Sequence, residues 1–387
     1  MLAADTQSAL LGVYKPAGPS FVAGEGCWLT GDDGRRYLDL TSGIAVNALG
    51  YGDPNVAAAI RGALDAGILH TSNLFRTAPA GELAAWLAAH SFADRVFFCN
   101  SGAEANEGAI KFARRWAGDR DEIIAFRGGF HGRTMGALAL TDRPAYQEPF
   151  RPLMPGVHFA EVGDVDGVKA LLQTGRVAAV IIEPIQAEGG VRLVAPGFLQ
   201  ALRALCTEHG ALLMLDEVQT GLGRTGTLWA HEAAGITPDV MTLAKPLAGG
   251  LPMGAVLVTE AVAAALKPGD HGSTFGGGTL VASAALATCR KIGAEPFMAE
   301  VRRKSELLAD LLGALALRRP GIRQVRGAGL MWGIEMDDAA GIVGRALEAG
   351  LLLCTAGPDV VRLLPPLVIG DDELRQGIAI LEGAMEC

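Results

Sequence analysis

The sequence lacks the features that would place it in several large classes of protein. Its six cysteines form no CxxC pair and have no nearby histidine at zinc-binding spacing, which fits free thiols in a reducing compartment. No basic run interrupts a chain of net charge −9, and this disfavours a nucleic-acid role. No apolar run approaches the roughly 20 residues of a membrane span. The first thirty residues have neither a cationic segment nor a long apolar one, so we expect no signal peptide and a cytoplasmic protein.

The composition instead predicts an ordered protein with a large core. The 387 residues are 50% hydrophobic, and a chain of this length exceeds one hydrophobic core. We therefore expect two domains, or one large α/β unit with a smaller partner. Glycine is frequent, with 52 residues, which is about twice the number that average usage would give. Many tight turns or close approaches of the backbone are expected.

Short apolar runs alternate with longer helical patterns, and this alternation predicts a parallel sheet flanked by helices. The predicted strands are 95–99, 122–126, 177–183, 211–217 and 254–259. Segments 103–117 and 196–210, with apolar residues every three or four positions, predict crossover helices. Beyond about residue 275 the helix-rich pattern and the runs at 321–336 and 359–368 predict a smaller α+β unit.

Polar residues follow the first predicted strand, at the sheet edge where open α/β folds bind ligands. Asn100, Ser101, Gly102 and Ala103 form a small turn that leads into a helix. Free backbone N–H groups and a hydroxyl at a positive helix end make an anion site. The alternative is a serine N-cap beside a glycine turn, with no ligand. The stretch is not a nucleotide-binding phosphate loop, because no GxxxxGK[ST] motif occurs.

Two later strand ends carry charged residues. Asp216 follows an apolar strand, where burial would raise its pKa unless a cation meets it. It either pairs with a protonated ring nitrogen of a ligand or caps the next turn. Lys245 precedes Pro246 and a glycine-rich segment that permits a tight reversal, and is either a surface lysine or a Schiff-base former. An anion cradle, a carboxylate and a lysine together match the needs of pyridoxal phosphate.

The ordered set of motifs resembles the class III pyridoxal-phosphate-dependent aminotransferase family, most closely its acetylornithine branch. The resemblance covers nearly the whole chain. Its motifs are "GRRYLDLTSGIAVNALGYGDP", "NSGAEANEGAIKFAR", "FHGRT", "VIIEPIQAEGG", "LLMLDEVQTGLGRTG", "TLAKPLAGG", "HGSTFGG" and "VRLLPPLV". It implies a fold type I α/β architecture, with pyridoxal 5'-phosphate on a large domain at 49–282. Segment 1–48 would pack with a small α+β domain at 283–387.

The same resemblance implies roles for three charged or polar residues near the cofactor. Lys245 would bind it covalently and then move the proton between substrate and cofactor. Asp216 would keep the ring nitrogen protonated, with Gln219 close to the phenolic oxygen.

The phosphate and a second subunit complete the cofactor site in this family. Ser101, Gly102 and Ala103 would bind the phosphate of the cofactor, largely through backbone N–H groups. The protein would be a homodimer whose active sites lie at the subunit boundary. Thr274 would reach the phosphate in the neighbouring subunit.

The stretch "FHGRT" places two of the implied contacts side by side. Phe130 would lay its ring against the pyridine face, and Arg133 would clamp a substrate carboxylate bidentately. The bend at Gly132 would let both face one cavity. His131 and Thr134 are interpreted as supporting hydrogen-bonding groups.

Two differently shaped substrates must share the pocket. Arg133 would hold the α-carboxylate of N-acetylornithine, and Ser273 would be a further substrate contact. Glu188 would mask the charge of Arg362 and then swing away, so that Arg362 can bind the α-carboxylate of glutamate. A permanent structural ion pair is the alternative for Glu188 and Arg362.

Two stretches depart from the family pattern. "YGDP" at 51–54 stands where a histidine-containing version is more usual, and "GGGT" at 276–279 stands where Gly-Gly-Asn-Pro is common. Neither removes a catalytic group. The resemblance implies transfer of the distal amino group of N-acetylornithine to 2-oxoglutarate, in arginine biosynthesis. N-succinyldiaminopimelate, ornithine and 4-aminobutyrate are alternative donors, and a non-catalytic binding protein is an alternative of another class.

Overall fold

The computed structural model describes residues 9–386, in which strands and helices alternate as the sequence predicts. The strands are β1 Phe21–Glu25, β2 Trp28–Gly31, β3 Arg36–Asp39, β4 Arg95–Cys99, β5 Glu122–Phe126, β6 Val157–Ala160, β7 Val177–Ile182, β8 Ile185–Gln186, β9 Arg192–Leu193, β10 Leu212–Asp216, β11 Val240–Leu243, β12 Gly254–Val258, β13 Ile322–Ala328, β14 Met331–Met336, β15 Leu351–Leu352, β16 Cys354–Thr355 and β17 Val360–Leu363. The helices are α1 Ser42–Ala45, α2 Pro54–Asp65, α3 Ala78–Ala89, α4 Gly102–Ala117, α5 Met135–Ala139, α6 Pro144–Gln147, α7 Val165–Leu172, α8 Pro196–Glu208, α9 Glu260–Ala263, α10 Thr279–Ile292, α11 Glu295–Arg318, α12 Ala339–Glu348 and α13 Asp371–Ala384.

A seven-stranded sheet in the order β4-β12-β11-β10-β7-β5-β6 forms the centre of the fold. All five strands predicted in this region are present, within one residue at each end, and the two predicted crossover helices are α4 and α8. The sheet is mainly parallel, as expected, but β12 runs antiparallel to both of its neighbours. Only residues 244–253 join β11 to β12, which is shorter than the dozen or so residues that a parallel crossover needs. The beginning of β12, not its end, therefore meets the ends of β4, β10 and β11.

Helices cover both faces of this sheet, so its central strands are buried throughout. On β10, Leu213 packs in a cluster with α7 and α8, whereas Met214 packs in a cluster with α4. Because successive side chains of a strand point to opposite faces, Asp216 shares the α4 side with Met214. Glu217 lies on the opposite face.

Three smaller sheets accompany the central sheet. One has the order β1-β2-β3-β15, a second has the order β13-β14-β17-β16, and β8 pairs with β9. The parallel pairing of β15 with β3 connects the amino-terminal strands to the carboxyl-terminal α+β part. The exact domain boundaries stay a prediction. Among residues 9–386, no helix combines the length and the apolar character that a membrane span requires.

The structure gives Glu217 a structural role. Its carboxylate is 1% exposed and accepts hydrogen bonds from the backbone N–H groups of Ala230 and His231, at 2.7 and 3.0 Å. Nδ1 of His231 lies 2.7 Å from the same carboxylate. These contacts anchor the 3-10 helix Ala230–Ala234 to the end of β10.

We expect Glu217→Ala to lower the free energy of unfolding by about 3 to 5 kcal/mol, because three buried N–H groups lose their acceptor. Urea unfolding followed by circular dichroism measures this change. Glu208→Ala, at a glutamate whose side chain is 62% exposed, is the matched control and should stay within about 0.5 kcal/mol of the parent. Equal stability of the two variants would contradict the structural role.

Candidate active site

A cavity of about 410 Å³ lies where β4, β10 and β11 end and where β12 begins. It brings together most of the residues that the sequence predicted for the cofactor and the substrate. The predicted residues that line it are Ser101, Gly102, Ala103, Phe130, Arg133, Glu188, Asp216, Gln219 and Lys245. Open α/β sheets bind ligands at this edge.

Lys245 lies just after β11 and lines the cavity, so it is not a surface lysine on an outer loop. It begins a 3-10 helix that ends before Gly249. Gly249 and Gly250 have φ values of 59° and 109°, and these left-handed conformations reverse the chain toward β12 as predicted. Burial lowers the pKa of Lys245, although the carboxylate of Glu188 opposes this effect.

Asp216 is held by three donors from three different segments. Nδ1 of His131 lies 2.8 Å from its Oδ2, and Nδ2 of Asn106 donates to the same oxygen at 2.8 Å. The backbone N–H of Val218 donates to Oδ1 at 3.0 Å. Burial opposes protonation of His131, but the hydrogen bond and charge of Asp216 outweigh it and raise the pKa of His131. The orientation of the carboxylate is therefore set before any ligand binds.

The predicted anion cradle forms the amino terminus of α4. Ser101 is the N-cap residue, and its Oγ accepts the N–H of Glu104 at 3.2 Å. The capping role and the anion-binding role are compatible, because Gly102 and Ala103 also line the cavity. A Cβ on Gly102 would come within 2.7 Å of Val218, so only glycine fits at this point of the wall.

The "FHGRT" stretch brings Phe130 and Arg133 to the same cavity, as predicted. Gly132 has a φ of 137°, and a Cβ there would lie 2.8 Å from the Cβ of Ala103. The bend therefore requires glycine. Thr134 is exposed and makes no capping bond to α5, so it takes no part in the cavity.

Glu188, Gln219 and Arg362 form a connected polar group. Nη1 of Arg362 donates to Oε1 of Glu188 at 2.5 Å and to Oε1 of Gln219 at 3.2 Å. Arg362 is 1% exposed, and its Nε has no partner among residues 9–386. Burial favours the neutral form of Glu188, but the charge of Arg362 outweighs it and lowers the pKa of Glu188. The carboxyl-terminal sheet thus supplies an arginine to the site.

Ser273 and Thr274 lie away from the cavity of their own chain. The Oγ of Ser273 accepts bonds from Nδ2 of Asn100 at 3.2 Å and from the N–H of Gly276 at 3.1 Å. Its carbonyl accepts Nδ2 of Asn73 at 2.6 Å. Ser273 thus joins two loops and does not line the cavity of its own chain, and its contact with a substrate stays a prediction. Thr274 is exposed, and its role toward a second subunit stays a prediction.

Comparison with known proteins identifies the family. A model described as "Aminotransferase class-III" matches residues 16–385. The chain belongs to the class-III aminotransferase family. The sequence resemblance and the predicted fold class are confirmed.

Curated relatives of this class-III aminotransferase carry a more specific name. A mitochondrial acetylornithine aminotransferase of Alnus glutinosa is 50% identical over 96% of this chain and 84% of its own length. An acetylornithine aminotransferase of Gloeobacter violaceus is 49% identical over 94% and 92%. Among solved structures, the ornithine aminotransferase of Toxoplasma gondii has a TM-score of 0.93 at 31% identity, covering 98% and 92%. The N-acetylornithine aminotransferase of Stenotrophomonas maltophilia has a TM-score of 0.84 at 39% identity, covering 96% of each chain.

Class-III aminotransferases depend on pyridoxal 5'-phosphate, which confirms the cofactor predicted from the sequence. The residues of the cavity fit this group. The cavity offers an amine at Lys245, a carboxylate at Asp216, an aromatic ring at Phe130 and a helix amino terminus at Gly102. A phosphorylated pyridine aldehyde needs these four functional groups.

The sequence analysis missed several residues that line the cavity of this aminotransferase, among them Glu183, Asn106 and Val46. Glu183 directly follows β7 and lines the cavity, and it shows the same signal as Asp216, a carboxylate after a buried strand. Burial raises the pKa of Glu183 to about 7. Asn106 is a polar residue on the buried face of α4, where apolar residues are expected, and this mismatch could have singled it out. Val46 follows the short α1 turn, and nothing in its local sequence singles it out.

Proposed function

We propose that this aminotransferase moves the distal amino group of N-acetylornithine to 2-oxoglutarate, giving N-acetylglutamate 5-semialdehyde and glutamate. One observation carries the proposal: a single cavity is lined by Lys245, an exposed Arg133 and Glu188, and the carboxylate of Glu188 masks the buried Arg362. Two arginines can bind dicarboxylates, and the masked one need not act on a donor with a single free carboxylate. The names of relatives at 43% to 50% identity support this choice of donor.

Each cofactor-facing residue has a defined role in this proposal. Bound pyridoxal phosphate supplies an electron sink for the carbon that loses its proton. Lys245 binds the cofactor and later carries the proton on Nζ, a task that suits an amine whose pKa burial lowers. Asp216 would accept the hydrogen bond of the protonated ring nitrogen. Phe130 would cover the ring face, and Gln219 would lie near the phenolic oxygen.

The remaining predicted contacts serve the phosphate and the substrate. Ser101, Gly102 and Ala103 would receive the phosphate at the positive end of α4. Arg133 binds the α-carboxylate of N-acetylornithine. In the other half-reaction Glu188 leaves Arg362, which then binds the α-carboxylate of glutamate.

The alternative donors and the cellular setting belong to the same proposal. The two stretches that depart from the family pattern, 51–54 and 276–279, do not line the cavity. They therefore give no reason to prefer N-succinyldiaminopimelate, ornithine or 4-aminobutyrate. A role in arginine biosynthesis follows from the proposed donor. A cytoplasmic location, which cell fractionation would check, is supported by the five described cysteines, all of them free thiols.

The donor is tested by the absorbance of the protein with bound cofactor. Addition of N-acetylornithine should bleach the long-wavelength band, and 2-oxoglutarate should restore it, because the amino group is passed on in two half-reactions. Ornithine and 4-aminobutyrate are added separately for comparison. Lys245→Ala is the control, and it should lack the band of the covalently held cofactor. Bleaching by another amine alone would keep the reaction class and overturn the donor.

The masking of Arg362 by Glu188 makes a separate prediction. Glu188→Ala leaves the charge of Arg362 uncovered, so the ratio of kcat/KM for glutamate to kcat/KM for N-acetylornithine should rise about tenfold, equivalent to about 1.4 kcal/mol. Single-turnover rates of the two half-reactions measure the ratio. Glu208→Ala is again the exposed control. A parallel loss in both half-reactions would mean that Glu188 and Arg362 form a permanent structural ion pair.

We also propose that the protein is a homodimer with shared sites. Large apolar side chains lie exposed around Thr274 and on the loop before α3: Phe275 is 66% exposed, Leu74 87% and Phe75 70%. Apolar groups of this size are usually covered in an assembly. Thr274 would then face the cofactor of the second subunit.

Mixing two defective variants tests the shared site. Lys245→Ala removes the covalent link, and Thr274→Asp places a negative charge near the phosphate of the other subunit. Random reassociation makes half of the dimers mixed. One of the two sites in each mixed dimer combines an intact Lys245 with an intact Thr274, so activity should return to about a quarter of the parent level. Sedimentation verifies the dimer. No gain of activity on mixing would mean that Lys245 and Thr274 of the same chain serve one site, which would contradict the shared site.

A further inference from the structure

Arg133 rests on an aromatic side chain that none of the preceding assignments uses. The Cζ atom of Arg133 lies 3.3 Å from the centroid of the Tyr146 ring. The same guanidinium lies 5.9 Å from the centroid of Phe130. Arg133 has no ion-pair or hydrogen-bond partner within residues 9–386, so these two rings are its only strong neighbours there.

Stacking on Tyr146 leaves the carboxylate-binding groups of Arg133 free. A guanidinium stacks through its flat face, whereas its N–H groups point outward in the plane of the group. The fork of N–H groups that grips a carboxylate lies in that plane. The ring of Tyr146 and a substrate carboxylate can therefore bind Arg133 at the same time.

Tyr146 is itself held in place by the segment that carries it. It lies on α6, where its backbone N–H donates to the carbonyl of Arg143 at 2.9 Å. The next residue, Gln147, donates through Nε2 to the carbonyls of Thr141 and Leu138, at 2.9 and 3.1 Å. The Tyr146 ring on which Arg133 stacks therefore belongs to a segment that hydrogen bonds hold in place.

The segment 141–147 forms hydrogen bonds to both sides of the substrate-binding region. Oγ1 of Thr141 accepts the backbone N–H of His131 at 2.9 Å, which connects the segment to the "FHGRT" stretch. Nη2 of Arg143 donates to the backbone carbonyl of Glu188 at 2.8 Å. Tyr146 thus lies at a constant position relative to both proposed carboxylate-binding sites.

We propose that Tyr146 is a positioning residue that preorganises Arg133 for the carboxylate of the substrate. An exposed arginine samples many rotamers, and a carboxylate must select one of them at an entropic cost. The ring of Tyr146 restricts that choice before the substrate arrives. The proposal rests on the proposed role of Arg133 and goes beyond it by naming the residue that sets the position of this arginine.

Binding of glutarate to the protein with bound cofactor tests the inference. Glutarate has the two carboxylates of 2-oxoglutarate but no keto group, so it binds without reacting. We expect Tyr146→Leu to raise its dissociation constant about five- to tenfold in calorimetric titrations, because the ring that orders Arg133 is lost. Tyr146→Phe, which keeps the ring, should restore the parent dissociation constant. Tyr14→Leu, at a tyrosine that is 83% exposed, is the matched control.

A double-mutant cycle with Arg133→Leu separates this inference from the role of Arg133. If Tyr146 acts through Arg133, Tyr146→Leu should weaken glutarate binding no further in the Arg133→Leu background. The amine half-reaction of n-pentylamine, which has no carboxylate, should be equally fast in the parent protein and in the Tyr146→Leu variant, both with bound cofactor. Unchanged glutarate binding in Tyr146→Leu, or an equal loss in both backgrounds, overturns the inference. Unchanged binding in Arg133→Leu overturns the proposed role of Arg133 instead.

Discussion

The buried carboxylate of Asp216 is the constraint on which the site is built. A carboxylate that is 4% exposed at the end of a central strand needs donors, and it takes them from α4, from the loop after β5 and from its own turn. Asn106 of α4 also accepts a bond from Thr242 on β11 at 2.8 Å. One anion therefore fixes α4, two neighbouring strands and the "FHGRT" stretch relative to each other. The amino terminus of α4 is positioned by the same contacts.

A second network connects the carboxyl-terminal sheet to the cavity. Arg362 on β17 reaches Glu188 and Gln219, which follow β8 and β10. An ion pair whose arginine is buried costs desolvation energy and stabilises little in net terms. It fits the proposed switch, in which Glu188 covers Arg362 for one substrate and uncovers it for the other. Arg133 differs, because it is exposed and is ordered by rings and not by a carboxylate.

The strands β4, β5, β7, β10 and β12 were predictable because their apolar runs are short and are bounded by polar or glycine residues. Lys245 and Asp216 were recognisable for a related reason, since both follow such a run. Glu183 shows the same pattern and was still missed. The direction of β12 was not visible locally, because an apolar run has the same pattern in either direction. Only the short connection from β11 decided it.

The sequence by itself determined the family, the main strands and the residue types that the cofactor requires, because ordered motifs and periodic apolar runs are local properties of a chain. The tertiary structure decided which of these residues meet. It placed His131 and Asn106 on Asp216, used Ser273 to join two loops, and laid Arg133 on Tyr146. Such contacts join residues that are distant along the chain, or that turn toward each other only through a bend such as Gly132. Their formation depends on how the strands and helices pack, which no single stretch of sequence encodes.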